Sequence, residues 1–248
     1  MRFERQYGNG IRAFAGWAIR PASERGVENA FEAVFSLAGP HLGREFAYFQ
    51  QHESGKRLLA ERPDLLATLR DRPALAAMPA GSLGRAYYDF TGGDAIATAD
   101  EFAALAHVDE ICARLGWDGD VAWFLERMSH SHDLFHVLTG YGSDVAGEGA
   151  VIHFTYGHFP MAALWGITTT LSALRPRIGY RRWHAYLAEA RERGRSCERL
   201  STAEYERLFP LPVEEAQRVL RIAPVAEAHP REGIVVDPIF RRRGAGLA

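Results

Sequence analysis

Lysine is almost absent from this 248-residue chain, and neither sign of charge is in clear excess. Lys56 is the only lysine among 29 basic residues, which accompany 31 acidic residues, so the formal net charge is -2. A mechanism that needs a lysine Schiff base or a lysine general base therefore has one candidate, in a polar, loop-like stretch. Because the chain lacks the basic excess typical of phosphate-backbone binding, we predict no nucleic-acid partner.

Cysteine is also scarce, and several common functional motifs are missing. Cys112 and Cys197 form no C-x-x-C pair and cannot build a disulfide framework, which is typical of reduced thiols in the cytosol. Residues 1–20 lack the apolar core of a secretory signal. The sequence contains no G-x-G-x-x-G, P-loop, G-x-S-x-G, EF-hand or H-E-x-x-H pattern, so the corresponding classes of site have no support.

The residues that are present predict an all-α fold. Hydrophobic residues make up 47% of the chain and charged residues 24%, which is typical of globular domains. Apolar residues recur at helical spacing, as at Val27, Phe31 and Val34, and we find no βαβ rhythm and no internal repeat. We predict a single globular helical domain over residues 20–222 and a short irregular C-terminal extension over residues 223–248.

The longest uncharged stretch covers residues 149–174. It contains no Asp, Glu, Lys or Arg and is long enough to span a bilayer. Its glycines, its histidines and Pro160 would make a lipid-exposed helix costly, because they break the helix or need polar partners. We therefore predict a broken pair of apolar helices that line a cavity in the core, with an apolar face used against lipid as the alternative.

The candidate site begins with a cluster on a helix that we predict from Val121 to Leu138. At about 100° per residue, His132, Asp133 and His136 project from one face within one turn. Histidines at positions i and i+4 can bind one metal ion together, and Asp133 can be a third ligand or can orient a ligating histidine. The alternative is an Asp–His pair that caps or stabilises the helix without any metal.

Glu148 lies far enough beyond His136 in the sequence for the chain to fold back and bring its carboxylate beside the two histidines. Gly140 and Gly142 allow a sharp turn, and Ser143 is the expected N-cap of a second helix that carries Glu148. The product is a site with two imidazoles and one or two carboxylates. Such a site suits zinc, or ferrous iron as in oxygenases with two histidines and one carboxylate.

These residues resemble the signature of a known family. The run HDLFHVLTGYGSDVAGE at residues 132–148 is similar to the H-D-x-x-H-x11-E signature of the fourth Coq-type ubiquinone-biosynthesis protein and its bacterial relatives. The blocks at residues 78–90 and 194–222 resemble further family blocks, so the likeness spans about residues 25–222. Where relatives commonly have Trp-Glu, this chain has the sequence Glu-Tyr-Glu at 204–206.

The resemblance implies an all-helical fold and a bound metal, with zinc in first place and iron(II) or magnesium as alternatives. The implied ligands are His132, Asp133, His136 and Glu148. The resemblance also implies a protein of the bacterial cytoplasm with peripheral contact to the cytoplasmic face of the inner membrane. Its implied partners are a prenylated aromatic or isoprenoid lipid and other quinone-biosynthesis proteins, and we also expect a homo-oligomer.

Two functions are compatible with this resemblance. The first is a metal-dependent enzyme that decarboxylates the ring of a polyprenylated hydroxybenzoate oxidatively, with the metal acting as a Lewis acid. Asp133 and Glu148 are the obvious base candidates, and no catalytic residue is assigned. The second is a non-catalytic carrier or scaffold for isoprenoid lipids, for which a closed four-ligand zinc site would be typical. A bacterial relative used for another prenylated or aromatic metabolite is a third, weaker interpretation.

Overall fold

The computed structural model of the chain describes residues 3–20, 23–92, 107–117, 119–173, 181–227 and 229–230. Within these ranges it contains fourteen α-helices, one short 3-10 helix at Leu200–Thr202 and no strand, so the all-α prediction is confirmed. The helices are α1 (Tyr7–Ile19), α2 (Glu24–Gln51), α3 (Glu53–Glu61), α4 (Leu65–Arg70), α5 (Arg72–Ala77), α6 (Leu83–Thr91), α7 (Val108–Leu115), α8 (Gly119–His130), α9 (His132–Thr139), α10 (Val145–His158), α11 (Ala162–Ala173), α12 (Trp183–Ser196), α13 (Tyr205–Leu208) and α14 (Val213–Val219).

The first helix, α1, packs closely on α2 through small residues. A Cβ atom at Gly10 would lie 2.4 Å from Leu37 Cγ, and one at Gly16 would lie 2.5 Å from Asn29 Nδ2, so a larger residue at either position would displace a side chain of α2. Sequence patterning did not predict this helix, because three glycines lower its intrinsic helix propensity. It forms because its inner face, which includes the buried Trp17, packs against the rest of the protein.

The helix predicted from Val121 to Leu138 is in fact two helices. The first of them, α8, ends at His130, and α9 begins at His132. Between them, the Ser131 hydroxyl donates a hydrogen bond of 2.8 Å to the carbonyl oxygen of Met128. A serine hydroxyl that bonds a nearby backbone group competes with regular helical pairing, which accounts for a break at this residue.

The uncharged stretch forms α10 and α11, which are separated around Pro160 as the sequence predicts. Residues on both helices are buried, and both helices contribute to the wall of the main cavity. None of the helices in the described ranges has both the length and the hydropathy that crossing a bilayer requires. Residue 174, the last of the predicted stretch, lies outside the described residues.

The described residues form two large hydrophobic cores. We call the first the site core; it packs α9, α10, α12 and the C-terminal helices together. We call the second the aromatic core; it joins α2, α3, α7 and α8. Fully buried members of the site core include Leu134, Leu138, Phe154, Trp183 and Tyr186. Buried aromatic members of the second core are Phe35, Phe46, Phe49, Trp117 and Phe124.

The first residues beyond position 222 are attached to α12. Arg193 Nε donates a hydrogen bond of 2.8 Å to the carbonyl oxygen of Ala223. The Glu189 carboxylate accepts hydrogen bonds from the backbone N–H groups of Ala226, at 2.5 Å, and Glu227, at 2.7 Å. Residues 231–248 of the predicted extension lie outside the described residues. The domain boundaries at 20 and 222 stay predictions.

Candidate metal centre

Three of the predicted ligands are in contact. His132 and His136 lie one turn apart on α9, with their Nε2 atoms 3.3 Å from each other. Glu148, from the first turn of α10, places Oε2 3.3 Å from His132 Nε2 and Oε1 3.2 Å from His136 Nε2. The two imidazoles and this carboxylate therefore converge on one small volume, as the sequence spacing predicts.

Asp133 completes a group that can hold a metal ion. One carboxylate oxygen of Asp133 and one ring nitrogen each of His132 and His136 all lie within 4.8 Å of one another. The Asp133 side chain is buried, and burial raises the pKa of its carboxyl group. A buried carboxylate beside two imidazoles is costly without a neutralising partner, because water is excluded from it. The donor set therefore fits a cation.

The turn between α9 and α10 brings Glu148 to the histidines. Gly140 closes α9 in the left-handed conformation, with φ 76°. A Cβ at Gly147 would lie 1.7 Å from the carbonyl oxygen of Gly142, so the chain can fold back this closely only with glycine there. The N-cap is Asp144 and not the predicted Ser143, because the Asp144 carboxylate accepts the Gly147 N–H at 2.7 Å.

His136 is oriented by groups outside the metal-type site. Its Nδ1 lies 3.2 Å from the carbonyl oxygen of Tyr141; because a carbonyl can only accept, Nδ1 carries the hydrogen and Nε2 is directed to the site. Phe90 stacks on the imidazole with ring centroids 5.3 Å apart. Arg193 lies 5.0 Å from the Tyr141 ring and donates to the carbonyl oxygen of Thr139 at 3.0 Å. The H-D-x-x-H motif does not predict these contacts around His136.

The C-terminal segment contributes a further contact beside the site. His229 Nε2 lies 2.7 Å from the Asp144 carboxylate, and His229 Nδ1 lies 2.8 Å from the Tyr186 hydroxyl. Tyr186 in turn packs edge-on against Tyr141, with ring centroids 5.5 Å apart. The N-cap of α10 is thus joined to a residue near the C-terminus.

The charges of His136 and Glu148 shift the pKa values of both side chains. Burial disfavours charge on His136, but the nearby Glu148 carboxylate outweighs that penalty and raises the pKa of His136 to about 9. Burial likewise disfavours charge on Glu148, but the two histidines hold the pKa of its carboxyl group well below its usual range. The carboxylate is therefore ionised at neutral pH, and a cation that binds there competes with a proton on His136.

The site opens on an apolar cavity of about 580 Å³. His132 and Glu148 lie in its wall, and α10 runs along it from Glu148 to His158. Ten residues of helix separate these two side chains, which is about 15 Å. Most of the remaining wall is aliphatic or aromatic and comes from α2, α8 and α11.

A second polar group, which sequence reasoning missed, also lies in the wall of this cavity. The buried Glu45 carboxylate pairs with Arg199 and accepts a hydrogen bond of 2.7 Å from the Ser201 hydroxyl. Arg199 also lies over the Tyr48 ring, 4.4 Å from its centroid. Burial lowers the pKa of His158 to about 3, so this imidazole stays neutral. These contacts combine residues that are far apart in sequence, so no local pattern indicated them.

Fold and site together define a class: an all-helical protein in which His132, Asp133 and His136 form a group that could hold a metal ion, beside the Glu148 carboxylate and an apolar cavity. Over residues 32–226, the sequence matches the Coq4 family, described as coenzyme Q (ubiquinone) biosynthesis protein Coq4. The chain belongs to this family, and the resemblance inferred from the H-D-x-x-H-x11-E signature is confirmed.

Two curated relatives are named as mitochondrial ubiquinone biosynthesis protein COQ4. The protein from Lachancea thermotolerans is 30% identical over 187 residues, which is 75% of this chain and 54% of the relative. The protein from Yarrowia lipolytica is 28% identical over 171 residues, which is 68% of this chain and 62% of the relative. The chain thus spans little more than half the length of these two relatives.

A crystal structure at 2.85 Å of a Nostoc punctiforme PCC 73102 protein, provisionally named a ubiquinone biosynthesis protein, has a similar fold. The TM-score is 0.60 at 16% sequence identity, and the alignment covers 88% of this chain and 99% of that chain. At this identity the likeness establishes the all-helical fold alone.

Proposed function

We propose that this protein is a metal-dependent enzyme of ubiquinone biosynthesis that decarboxylates the ring of a polyprenylated hydroxybenzoate oxidatively. The observation that carries the proposal is the position of His132 and Glu148 in the wall of the apolar cavity. A polar, acidic head group and an apolar tail could occupy the two neighbouring environments at once. The cavity, at about 580 Å³, is of the size that small-molecule sites commonly have.

The residues that would hold the metal are His132, His136 and Glu148, with Asp133 as a fourth ligand or as an orienting carboxylate. Two imidazole nitrogens with carboxylate oxygens are ligands that zinc takes in protein sites, so zinc is the metal that we propose. Iron(II) and magnesium are the other metals to test.

Bound there, the metal would supply a Lewis acid toward the phenolate and carboxylate oxygens of the substrate. The chain's own residues would bind, orient and exclude water. The Tyr141 carbonyl keeps His136 Nε2 directed at the site, and the apolar wall separates the reacting ring from solvent. Glu148 is ionised and can neutralise charge on the bound cation, whereas Asp133, whose pKa is raised by burial, is the carboxyl group better suited to hold a proton.

The same proposal covers the cellular location of the protein and its partners. We place the protein in the bacterial cytoplasm, with peripheral contact to the inner membrane, because a long-tailed quinone precursor partitions into lipid. Other quinone-biosynthesis proteins are its proposed partners, in keeping with membership of the Coq4 family. A homo-oligomeric state stays a prediction.

A second candidate function is a carrier that presents isoprenoid lipids without changing them. The observation that favours it is the long apolar wall of the cavity along α10, which can bind a tail without any chemistry. In that case the metal would be structural or would hold a polar head group.

Metal analysis of purified protein tests the site. We expect about one ion per chain in the wild type and at least about tenfold less in His136→Ala, since that variant loses a ligand. His153→Ala is the matched control, because it removes a buried histidine whose partners are the Gly149 carbonyl and the Ser172 hydroxyl. A His136→Ala protein that holds as much metal as the wild type would show that the site is misassigned.

Incubation with a prenylated hydroxybenzoate separates the two functions. Under air, the enzyme hypothesis expects the wild type to release carbon dioxide and to form the hydroxylated ring, with water supplying the hydroxyl oxygen and dioxygen reduced to hydrogen peroxide, whereas His136→Ala should do none of these. Under nitrogen, neither protein should react, because dioxygen is the expected oxidant. A wild type that retains an isoprenoid but releases no carbon dioxide would reject the enzyme and support the carrier.

A further inference from the structure

The first turn of α10, which carries Glu148, is bonded twice to Asp144. The Asp144 carboxylate accepts the Gly147 N–H at 2.7 Å, and the Asp144 backbone carbonyl accepts the Glu148 N–H at 2.9 Å. Because both bonds end on Asp144, a rotation of this residue would shift the backbone from which the Glu148 side chain projects. The direction of the Glu148 carboxylate toward His132 and His136 therefore depends on how firmly Asp144 is fixed.

His229 fixes Asp144 from outside α10. Its Nε2 lies 2.7 Å from Oδ2 of Asp144, whereas the Gly147 N–H binds Oδ1. An ionised carboxylate can only accept, so Nε2 donates this bond. The imidazole also lies against the turn itself, because a Cβ at Gly142 would lie 3.7 Å from ring atoms Cε1 and Nε2 of His229. The two oxygens of one carboxylate are thus held by two parts of the chain, which restricts rotation of the Asp144 side chain.

The Tyr186 hydroxyl fixes the other side of the imidazole. Tyr186 is fully buried on α12, and its hydroxyl oxygen lies 2.8 Å from His229 Nδ1. Because Nε2 carries the hydrogen that binds Asp144, Nδ1 of the neutral imidazole accepts the tyrosine hydrogen. The His229 side chain is 34% exposed, so its replacement by a smaller residue opens no large cavity in the core.

The residues that precede His229 are attached to α12 as well. The Glu189 carboxylate accepts the backbone N–H groups of Ala226 and Glu227, and Arg182 pairs with Glu227. These contacts direct the chain along α12 toward the turn between α9 and α10. The imidazole therefore reaches Asp144 from a direction that α12 determines.

We propose that His229 is a positioning residue for the candidate metal centre: by holding Asp144, it fixes the first turn of α10 and directs Glu148 at the two histidines. The inference rests on the proposed metal function, since its consequence is metal affinity. The match to the Coq4 family model ends at residue 226, so neither that match nor the H-D-x-x-H-x11-E signature includes His229.

Metal titration tests the consequence for the site. Zinc affinity is measured by competition with a chelator, and the visible absorption of the cobalt(II)-loaded proteins reports the arrangement of the ligands. We expect His229→Ala to bind zinc about fivefold or more weakly than the wild type and to have an altered cobalt(II) spectrum. His229→Gln keeps an N–H donor within reach of Asp144, so it should restore most of the affinity and the wild-type spectrum.

Hydrogen exchange tests the contact in the metal-free protein. The N–H groups of Gly147 and Glu148 should exchange at least about fivefold faster in His229→Ala than in the wild type, because their acceptor residue is less firmly held. The N–H groups in the middle of α12 should exchange at the wild-type rate. Asp144→Ala removes the side-chain acceptor itself and should cause the larger acceleration at Gly147.

The matched control is His184→Ala, which removes an exposed histidine from α12 and should change neither affinity nor exchange. Tyr186→Phe removes only the hydroxyl that orients the imidazole. It should weaken zinc binding less than His229→Ala does, and it keeps the test decisive if His229→Ala fails to fold.

Three outcomes would overturn the inference in a wild type that binds metal. They are wild-type affinity and spectrum in His229→Ala, faster exchange at unchanged affinity, and no rescue by His229→Gln. The second would mean that His229 supports the helix cap without directing Glu148. A wild type that binds no metal would instead reject the proposed function, and this inference with it.

Discussion

The site core and the aromatic core differ in how they use polar groups. In the site core, side chains satisfy the end of the helix that carries the histidines: Arg193 donates to the Thr139 carbonyl at 3.0 Å, and Gln217 donates to the Leu138 carbonyl at 2.9 Å. Carbonyl groups at a helix C-terminus have no partner within the helix, so these donors fix where α9 ends. The helix that carries His132 and His136 is thereby tied to two other helices, α12 and α14.

The aromatic core relies instead on packing between rings. Phe49 and Phe124 lie with ring centroids 4.9 Å apart, and Phe46 meets Phe124 edge-on at 5.5 Å. Where this region faces the cavity, side chains such as Phe31 and Val34 are only half-buried. The comparison indicates that the site core fixes the positions of the histidines, whereas the aromatic core leaves space beside the cavity. Mutations should therefore lower the free energy of unfolding more in the site core than at the cavity-facing edge of the aromatic core.

The largest expected loss of stability comes from Phe154→Ala in the site core. Phe154 is fully buried, and truncation leaves a cavity that the surrounding helices cannot fill. We expect the free energy of unfolding to fall by about 3 to 5 kcal/mol. Urea denaturation measures it, and a loss of under about 1 kcal/mol would contradict the rigid character assigned to this core.

Arg193→Gln should cost about 2 to 3 kcal/mol of unfolding free energy, because the buried Thr139 carbonyl and the exposed Ala223 carbonyl lose a charged donor. It should also weaken metal binding by roughly tenfold, since the support behind Tyr141 and His136 loosens. Arg195→Gln is the control: Arg195 is exposed on the same helix and should change neither quantity. Loss of stability at unchanged metal affinity would mean that Arg193 does not position the site.

Phe31→Ala, in the cavity wall, should cost only about 1 to 2 kcal/mol, because the residue is half-buried and already borders empty space. The same urea experiment compares it directly with Phe154→Ala. If the two substitutions lower the free energy of unfolding equally, the site core is not more rigid than the cavity-facing edge of the aromatic core.

The smallest effect concerns Glu126 on α8. Burial and a hydrogen bond with Asp109 raise the pKa of Glu126 from 4.5 to about 7. A carboxyl group whose pKa is raised on folding destabilises the folded state once pH rises above its unfolded pKa. Glu126→Gln should therefore be more stable than the wild type at pH 8, by less than about 1 kcal/mol after solvent screening, and equal to it near pH 4. Thermal melts at the two pH values check this, with the exposed Glu110→Gln as control.

The contrast also shows which features of the site can be predicted from the sequence and which cannot. The i, i+4 spacing of His132 and His136 and the glycine-rich turn before Glu148 are local features, so helix geometry alone placed these three residues together. Arg193 and the polar group around Glu45 act across long sequence separations, and no local pattern encodes them. The break at Ser131 was missed because the flanking residues have a continuous helical periodicity that tertiary packing interrupts.

The contact between His229 and Asp144 has a consequence for biogenesis. The two residues are 85 positions apart, and Asp144 caps the helix whose first turn carries Glu148. During translation, the chain must therefore be synthesised at least as far as His229 before this cap can acquire its histidine partner. The N-cap of the helix that carries Glu148 is thus completed only after folding has joined two distant parts of the chain.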